Sequence, residues 1–222
     1  MTPPIRLYSG PLSMFGAKVE IALREKGLEF ELVMVPFDNA RGYEPKHPDV
    51  VRINPKRQVP VLVHGDVELF DSSQIFEYLE DAFPQPSLWP AAPAERARAR
   101  QLELASDEVY FPHVIRLMGL QQALDDPAAV AACVAAGEFY GRMDVRLGGS
   151  AYLAGDYSYA DIAFYMAQLF GARMGAPMTD ATPNLLTWRE RVGARPAVRR
   201  VVGAMAAYLR ANARPVPEFI GA

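Results

Sequence analysis

Two short stretches carry most of the chemistry that can be read from this chain. In Asn54-Pro55-Lys56-Arg57-Gln58-Val59-Pro60-Val61-Leu62, a turn-forming Asn-Pro leads to a proline that opens an apolar strand. Proline donates no ladder hydrogen bond and is tolerated at that position. With a trans bond, Val59-Pro60 is an ordinary strand edge. With a cis bond it turns the Val59 N–H and C=O outward, where they can pair with an extended peptide as one more strand would. Further on, Asp71-Ser72-Ser73-Gln74-Ile75 opens an amphipathic helix. Asp71 with Gln74 fits a capping box. The same helix start offers free N–H groups and partial positive charge to a carboxylate. Ser72 adds a hydroxyl donor, and Asp71 would need a cation. Together these residues describe a surface that holds a small peptide by its backbone and its charged end.

A third stretch, Tyr8-Ser9-Gly10-Pro11-Leu12-Ser13-Met14-Phe15-Gly16-Ala17-Lys18-Val19, joins a strand to a helix and offers three hydroxyls. Ser13 falls at the helix N-terminus, where capping is its simplest role. A fourth, Ser158-Tyr159-Ala160-Asp161, is a capping box ahead of the apolar run Ile162-Ala163-Phe164. It reads as structural, and removing Asp161 as a cap is expected to cost about 1 kcal/mol.

The elements that must position these residues change character along the chain. Ile5, Leu7 and Tyr8 form a short strand; Met14 to Lys26 reads as a helix stopped by Gly27. Leu28, Phe30 and Leu32 alternate with Glu29 and Glu31 as a half-buried strand that runs into Val33-Met34-Val35. Residues 36–58 read as a long excursion with little regular structure. Val61-Leu62-Val63 and Val67-Glu68-Leu69-Phe70 flank a hairpin turn at His64-Gly65-Asp66. Pro84, Pro86, Pro90 and Pro93 with Trp89 mark the sharpest change in composition. The expected organisation is therefore a domain at 1–83, a linker at 84–93 and a second domain at 94–222. In that second domain strand signals vanish, and helices are expected over 94–120, 127–147, 158–171, 183–193 and 196–211.

Composition narrows the class further. The chain has 222 residues, half of them hydrophobic, 22% charged, with net charge −3. This is ordinary for a globular protein with a real core, and the near-neutral balance argues against nucleic acid as the main partner. Cys133 is the only cysteine, which excludes an internal disulfide and a Cys-x-x-Cys pair and fits a reducing compartment. His47, His64 and His113 lack metal-ligand spacing. No signal peptide or membrane span is legible, so a cytoplasmic location is expected.

The order β-α-β, β-β-α, then helices, together with Val59-Pro60, Asp71-Ser72 and Ser13, resembles the glutathione S-transferase family, specifically its cytosolic, bacterial-type, serine-type members. The resemblance covers nearly the whole chain. It implies a thioredoxin-like α/β N-terminal domain followed by an all-α helical-bundle domain, and a symmetric homodimer. It implies that Val59-Pro60 is cis, that Val59 pairs with the cysteinyl part of glutathione, and that Asp71 and Ser72 hold its γ-glutamyl end. Phe15, Gln58 and Pro60 belong to the same site, and Lys46 or its rival Arg57 would meet the glycyl carboxylate. Glutathione would be the cosubstrate, with no metal.

Ser13 matches the serine in Pro-x-Ser-x-x-x-x-Lys/Arg-Val and is implied to activate the thiol, with Tyr8 as runner-up and Ser9 behind it. A free thiol with a pKa of about 8.5 is mostly protonated at neutral pH. A hydroxyl donor beside a helix N-terminus favours the thiolate. The absence of cysteine at Ser13 and Gly16 argues against disulfide exchange. A small apolar electrophile would sit against Tyr110, His113, Phe164 and Tyr165, with Phe111 and Met118 as further wall residues, although aromatics at helical spacing are more often core. The alternatives are a non-catalytic binding or regulatory relative and a specialised glutathione-dependent etherase, dehalogenase or isomerase.

Overall fold

A computed structural model describes residues 3–38, 41–44 and 46–221. The first part is a mixed sheet with helices. Strands β1 (Ile5–Ser9), β2 (Phe30–Met34), β3 (Val61–His64) and β4 (Val67–Phe70) lie in the order β2-β1-β3-β4. β1 and β2 run parallel, Leu7 opposite Leu32, while β3 is antiparallel to both β1 and β4. Helix α1 (Met14–Glu25) makes the crossover between the parallel strands. It ends because Gly27 takes φ +65°, a left-handed conformation that costs glycine little. Leu7, Val19, Leu23, Leu62, Ile75 and Leu79 are buried together between the sheet, α1 and α3 (Ser72–Ala82).

The excursion between β2 and β3 is more ordered than its composition implies. It contains a six-residue helix, α2 (Pro48–Ile53), with proline at its first turn and the His47 ring accepting from the Asp49 N–H. The Pro- and Asn-rich flanks conceal it, because so short a run shows little periodicity.

The second part is all-helical: α4 (Pro93–Ala105), α5 (Phe111–Gly119), α6 (Pro127–Leu147), α7 (Tyr159–Arg173), α8 (Pro183–Gly193), α9 (Pro196–Ala211) and α10 (Glu218–Gly221). The stretch expected as one helix over 94–120 is divided by a π-helical turn at Ser106–Tyr110, where the Phe111 N–H reaches the Ser106 carbonyl five residues back. Pro112 accounts for the position: it has no N–H to give the carbonyl four residues earlier, and its ring crowds that turn. Helix α7 runs through the middle of this part, with every residue from Tyr159 to Gly171 buried. No helix among the described residues is long and apolar enough to cross a membrane.

The two parts are joined by polar ties as well as by packing. Arg195 grips Glu25 with two bonds of 2.8 Å. Within the first part, Lys26 Nζ donates to the Phe83 and Pro86 carbonyls and pairs with Glu80, fixing the end of α3 and the segment that leads on to the helices. Asp161 does more than cap α7. Its fully buried carboxylate accepts from the Leu153 and Ser158 N–H groups, the Ser158 hydroxyl and Trp188 Nε1. Losing it strands several buried donors, each costing about 1–3 kcal/mol. Asp161→Ala is therefore expected to lower unfolding free energy by about 3–5 kcal/mol, well above a simple cap. Chemical denaturation measures this, and a loss near 1 kcal/mol would return Asp161 to the capping role alone.

Candidate active site

The β1–α1 turn, the loop carrying α2, the start of β3, the β4–α3 junction and the α4–α5 segment enclose one cleft between the two parts. It consists of two adjoining cavities that share Phe15, Gln58 and Val59. The larger, about 330 Å³, holds Ser13 and an apolar wall of Leu12, Val35, Phe111, Ile115, Met118 and Phe170. Lys46, His47 and Arg57 also line it. The smaller, about 240 Å³, holds Asp71, Ser72, Ser73, Asp107, Glu108 and Lys56.

Ser13 caps α1. Its Oγ accepts from the Gly16 N–H at 3.0 Å, and among the described residues no acceptor takes its proton. Oγ is thus fixed from behind with its O–H left to donate into the cleft. Gly16 is required for this arrangement: a Cβ there would come within 2.1 Å of Ser9 Oγ and 3.0 Å of Ser13 Oγ. Tyr8 is differently placed. It is buried, lines neither cavity, and donates to Asp49 Oδ2 at 2.7 Å. Burial and that carboxylate push its phenol upward, which makes it a poorer proton donor. Ser9 is buried against Gly16 and lines neither cavity.

The Val59-Pro60 bond is cis. Among the described residues no hydrogen bond takes up the Val59 N–H or C=O. Gln58 beside it is anchored through its carbonyl by Asn54 Nδ2 at 2.6 Å. Asp71 adopts φ +74°, ψ +125°, a conformation that costs a non-glycine residue about 1–3 kcal/mol and concentrates at functional sites. Its Oδ1 caps the Ser73 and Gln74 amides, leaving Oδ2 without a protein donor among the described residues. Ser72, 3% exposed, forms the first turn of α3. Lys46 pairs with Glu44 at 3.6 Å, and Arg57 has φ +56°; both face the same cavity.

A buried ion network lies under the polar cavity. Lys18 Nζ, fully buried, meets Glu103 Oε1 at 3.0 Å and Asp107 Oδ2 at 2.5 Å, and Ser73 Oγ donates to Glu103 at 2.8 Å. Burial works against the ammonium, but the two carboxylates together hold Lys18 above its ordinary value. Burial pushes Asp107 up to about 6, with Lys18 pulling the other way. Asp107 Oδ1 has no partner among the described residues.

Four residues expected at an electrophile pocket lie elsewhere. Tyr110 is fully buried, its hydroxyl bonded to that of Tyr140 and its ring edge-on to Phe164. Phe164 is buried against Trp188. Tyr165 is buried on another side of α7, and His113, half-buried, lines neither cavity. The wall is instead Phe111, Ile115 and Met118 of α5 with Phe170 of α7. Ile115, Leu12, Tyr43, His47 and Phe170 were not legible as site residues. The spacing of Phe111, Ile115 and Met118, one helical stripe, is the signal that finds Ile115. Cys133 bonds the Gly175 carbonyl and lines neither cavity. No group of three candidate metal ligands occurs among the described residues.

A small mixed sheet whose helix start and strand edge face a helical bundle across a two-part cleft is the architecture of glutathione S-transferases, and the comparisons agree. Residues 7–87 match the model of the glutathione S-transferase N-terminal domain, and residues 104–196 that of the C-terminal domain. Glutathione S-transferase 3 of Zea mays is 33% identical over 213 residues, covering 91% of this chain and 95% of that protein. The stringent starvation protein A homolog of Coxiella burnetii is 42% identical over 96 residues, 43% of each chain. A glutathione S-transferase from Methylobacterium radiotolerans, solved in complex with glutathione sulfonate, superposes with a TM-score of 0.74 at 29% identity, covering 89% of this chain and 94% of that one. The chain belongs to the glutathione S-transferase family.

The network makes a direct expectation. A carboxyl whose pKa rises on folding binds a proton more tightly in the folded state. It therefore favours folding below its unfolded value of 3.8, and that contribution is lost as pH rises through about 6. The Asp107 carboxyl carbon should titrate in NMR with a midpoint near 6, in a signal absent from Asp107→Asn. A midpoint at or below 3.8 would contradict this account of its surroundings.

Proposed function

We propose that this protein is a glutathione transferase in which Ser13 activates the thiol. The observation that carries the reading is the Ser13 hydroxyl, held by the Gly16 N–H with its own proton uncommitted, in the apolar cavity that adjoins the polar one through Phe15, Gln58 and Val59. Glutathione would lie extended along Val59, its cysteinyl amide pairing with the Val59 backbone. Its γ-glutamyl carboxylate would meet Ser72 and the α3 N-terminus, and its amino group Asp71 Oδ2. Lys46 and Arg57 stand at the end where the glycyl carboxylate would lie. The relative solved with glutathione sulfonate supports this choice of ligand.

In the proposed reaction the thiol loses its proton to solvent. Ser13 O–H and the α1 N-terminus stabilise the sulfur anion, one pKa unit corresponding to about 1.4 kcal/mol. The sulfur electron pair attacks an electrophilic carbon held on Phe111, Ile115, Met118 and Phe170. A carbon–sulfur bond forms as the bond to the leaving group breaks, and the leaving group departs with that bond's electron pair. Etherase, dehalogenase and isomerase chemistry would use the same thiolate. We place the enzyme in the cytoplasm as a symmetric homodimer, by kinship with the family.

The similarity over 96 residues to a stringent starvation protein A homolog supports a second reading, a partner protein without turnover. The uncommitted Ser13 proton and the intact Val59 and Asp71 favour the enzyme. Ser13→Ala is expected to lower kcat/KM toward an aryl halide on the order of 100-fold, the scale of losing one donor to a developing anion. Retention on immobilised glutathione should survive, and Tyr8→Phe should change little. Full activity of Ser13→Ala, or loss of activity on Tyr8→Phe, would overturn the assignment. Failure of the wild type to bind glutathione would favour the partner protein.

A further inference from the structure

The helical part contains a second pocket that the transferase cleft does not use. Tyr165, 1% exposed, reaches a cavity of about 490 Å³ between α7, α8, α9 and α10. Its hydroxyl lies under Gly193, where a Cβ would sit 2.9 Å from it. Among the described residues this hydroxyl makes no hydrogen bond. Arg189 lines the same cavity. Its guanidinium stacks over the Phe219 ring at 4.2 Å, yet among the described residues it forms no ion pair or hydrogen bond, and its Nε is buried without a partner there. Buried polar groups are nearly always satisfied, so a buried guanidinium Nε and a buried hydroxyl that both lack a partner stand out in one cavity, although Arg189 as a whole is only half-buried. Burial indeed lowers the Arg189 guanidinium, and it pushes the Tyr165 phenol up to about 12, so both remain proton donors near neutral pH.

The remaining wall is Val202, Gly203, Phe219 and Ile220, with Arg199 and Glu190 at its charged edge. Two arginines against one carboxylate leave a single net positive charge, which suits a monoanion better than a phosphate. The geometry points to a binding site for a small organic carboxylate, its anionic head held by Arg189 and the Tyr165 hydroxyl and its apolar body lying on Val202, Phe219 and Ile220. A guanidinium fork matches a carboxylate in shape and number of donors, and the aromatic stack holds that fork in one plane. The site lies outside the cleft and does not rest on the transferase reading.

The test uses 4-phenylbutyrate as probe and 4-phenylbutyramide as its neutral counterpart, titrated calorimetrically into the full chain with and without saturating glutathione. The acid should bind saturably at one site and the amide at least tenfold more weakly, with glutathione changing neither. Arg189→Gln should weaken the acid at least tenfold, and Tyr165→Phe should weaken it to a smaller degree. Because Arg189→Gln also removes a stacking contact, Gly203→Phe serves as a second variant. Nothing lies within 4 Å of a Cβ at Gly203, so the added ring fills the pocket from an exposed position and should abolish binding in a folded protein. Absence of saturable binding to the wild type, competition by glutathione, equal affinity for the amide, or unchanged affinity in Gly203→Phe would each overturn the proposal.

Discussion

One buried cation holds the site together. Lys18 extends from α1, whose first turn carries Ser13, and ends between Glu103 of α4 and Asp107 of the π turn. Glu103 in turn accepts from Ser73 of α3, two residues from Asp71. Three elements that line the cleft are thus tied to a single ammonium with no exposed surface, packed against the Phe15 and Phe76 rings. An ion pair so deeply buried contributes little net stability compared with an apolar replacement. What it supplies is position: neither carboxylate can leave without exposing an unpaired charge, so the helical part is held in one register over the sheet.

That register decides which residues face the cleft. Val59-Pro60, Asp71-Ser72 and Ser13 are legible in the sequence because they are local signals that depend on neighbours within a few positions, and the fold brings all of them to the cleft. The apolar half is read poorly for a defined reason. An extra residue in the π turn rotates everything beyond it by about 100° relative to a regular helix. The rotation carries Tyr110 inward to Tyr140 and brings Phe111, Ile115 and Met118 to the cleft. Periodicity counted through residues 94–120 as one helix cannot register that shift. Pro112 was the visible clue. Phe164 and Tyr165 are misread differently: α7 is buried all round, so it has no polar face to show which side meets the cleft.

The division of the cleft also separates two chemical tasks. The acidic, hydrogen-bonding half can orient a peptide with a free amino group, while the apolar half offers bulk contact and little directional recognition. Positioning precision would then belong to the cosubstrate and tolerance to the second substrate. Phe15, Gln58 and Val59, shared by both halves, mark the boundary where a sulfur atom must sit if Ser13 is its partner. The strained backbone at Asp71 is consistent with a residue held for its place in the polar half rather than for local stability.

The most direct test follows the thiol itself. The ultraviolet absorbance of the thiolate, titrated against pH in the complex of wild-type protein with glutathione, reports the pKa of the bound sulfur. The expected midpoint lies at least one unit below the free-thiol value of about 8.5, and in Ser13→Ala it should move back toward that value. A wild-type midpoint equal to that of free glutathione would contradict the role assigned to Ser13.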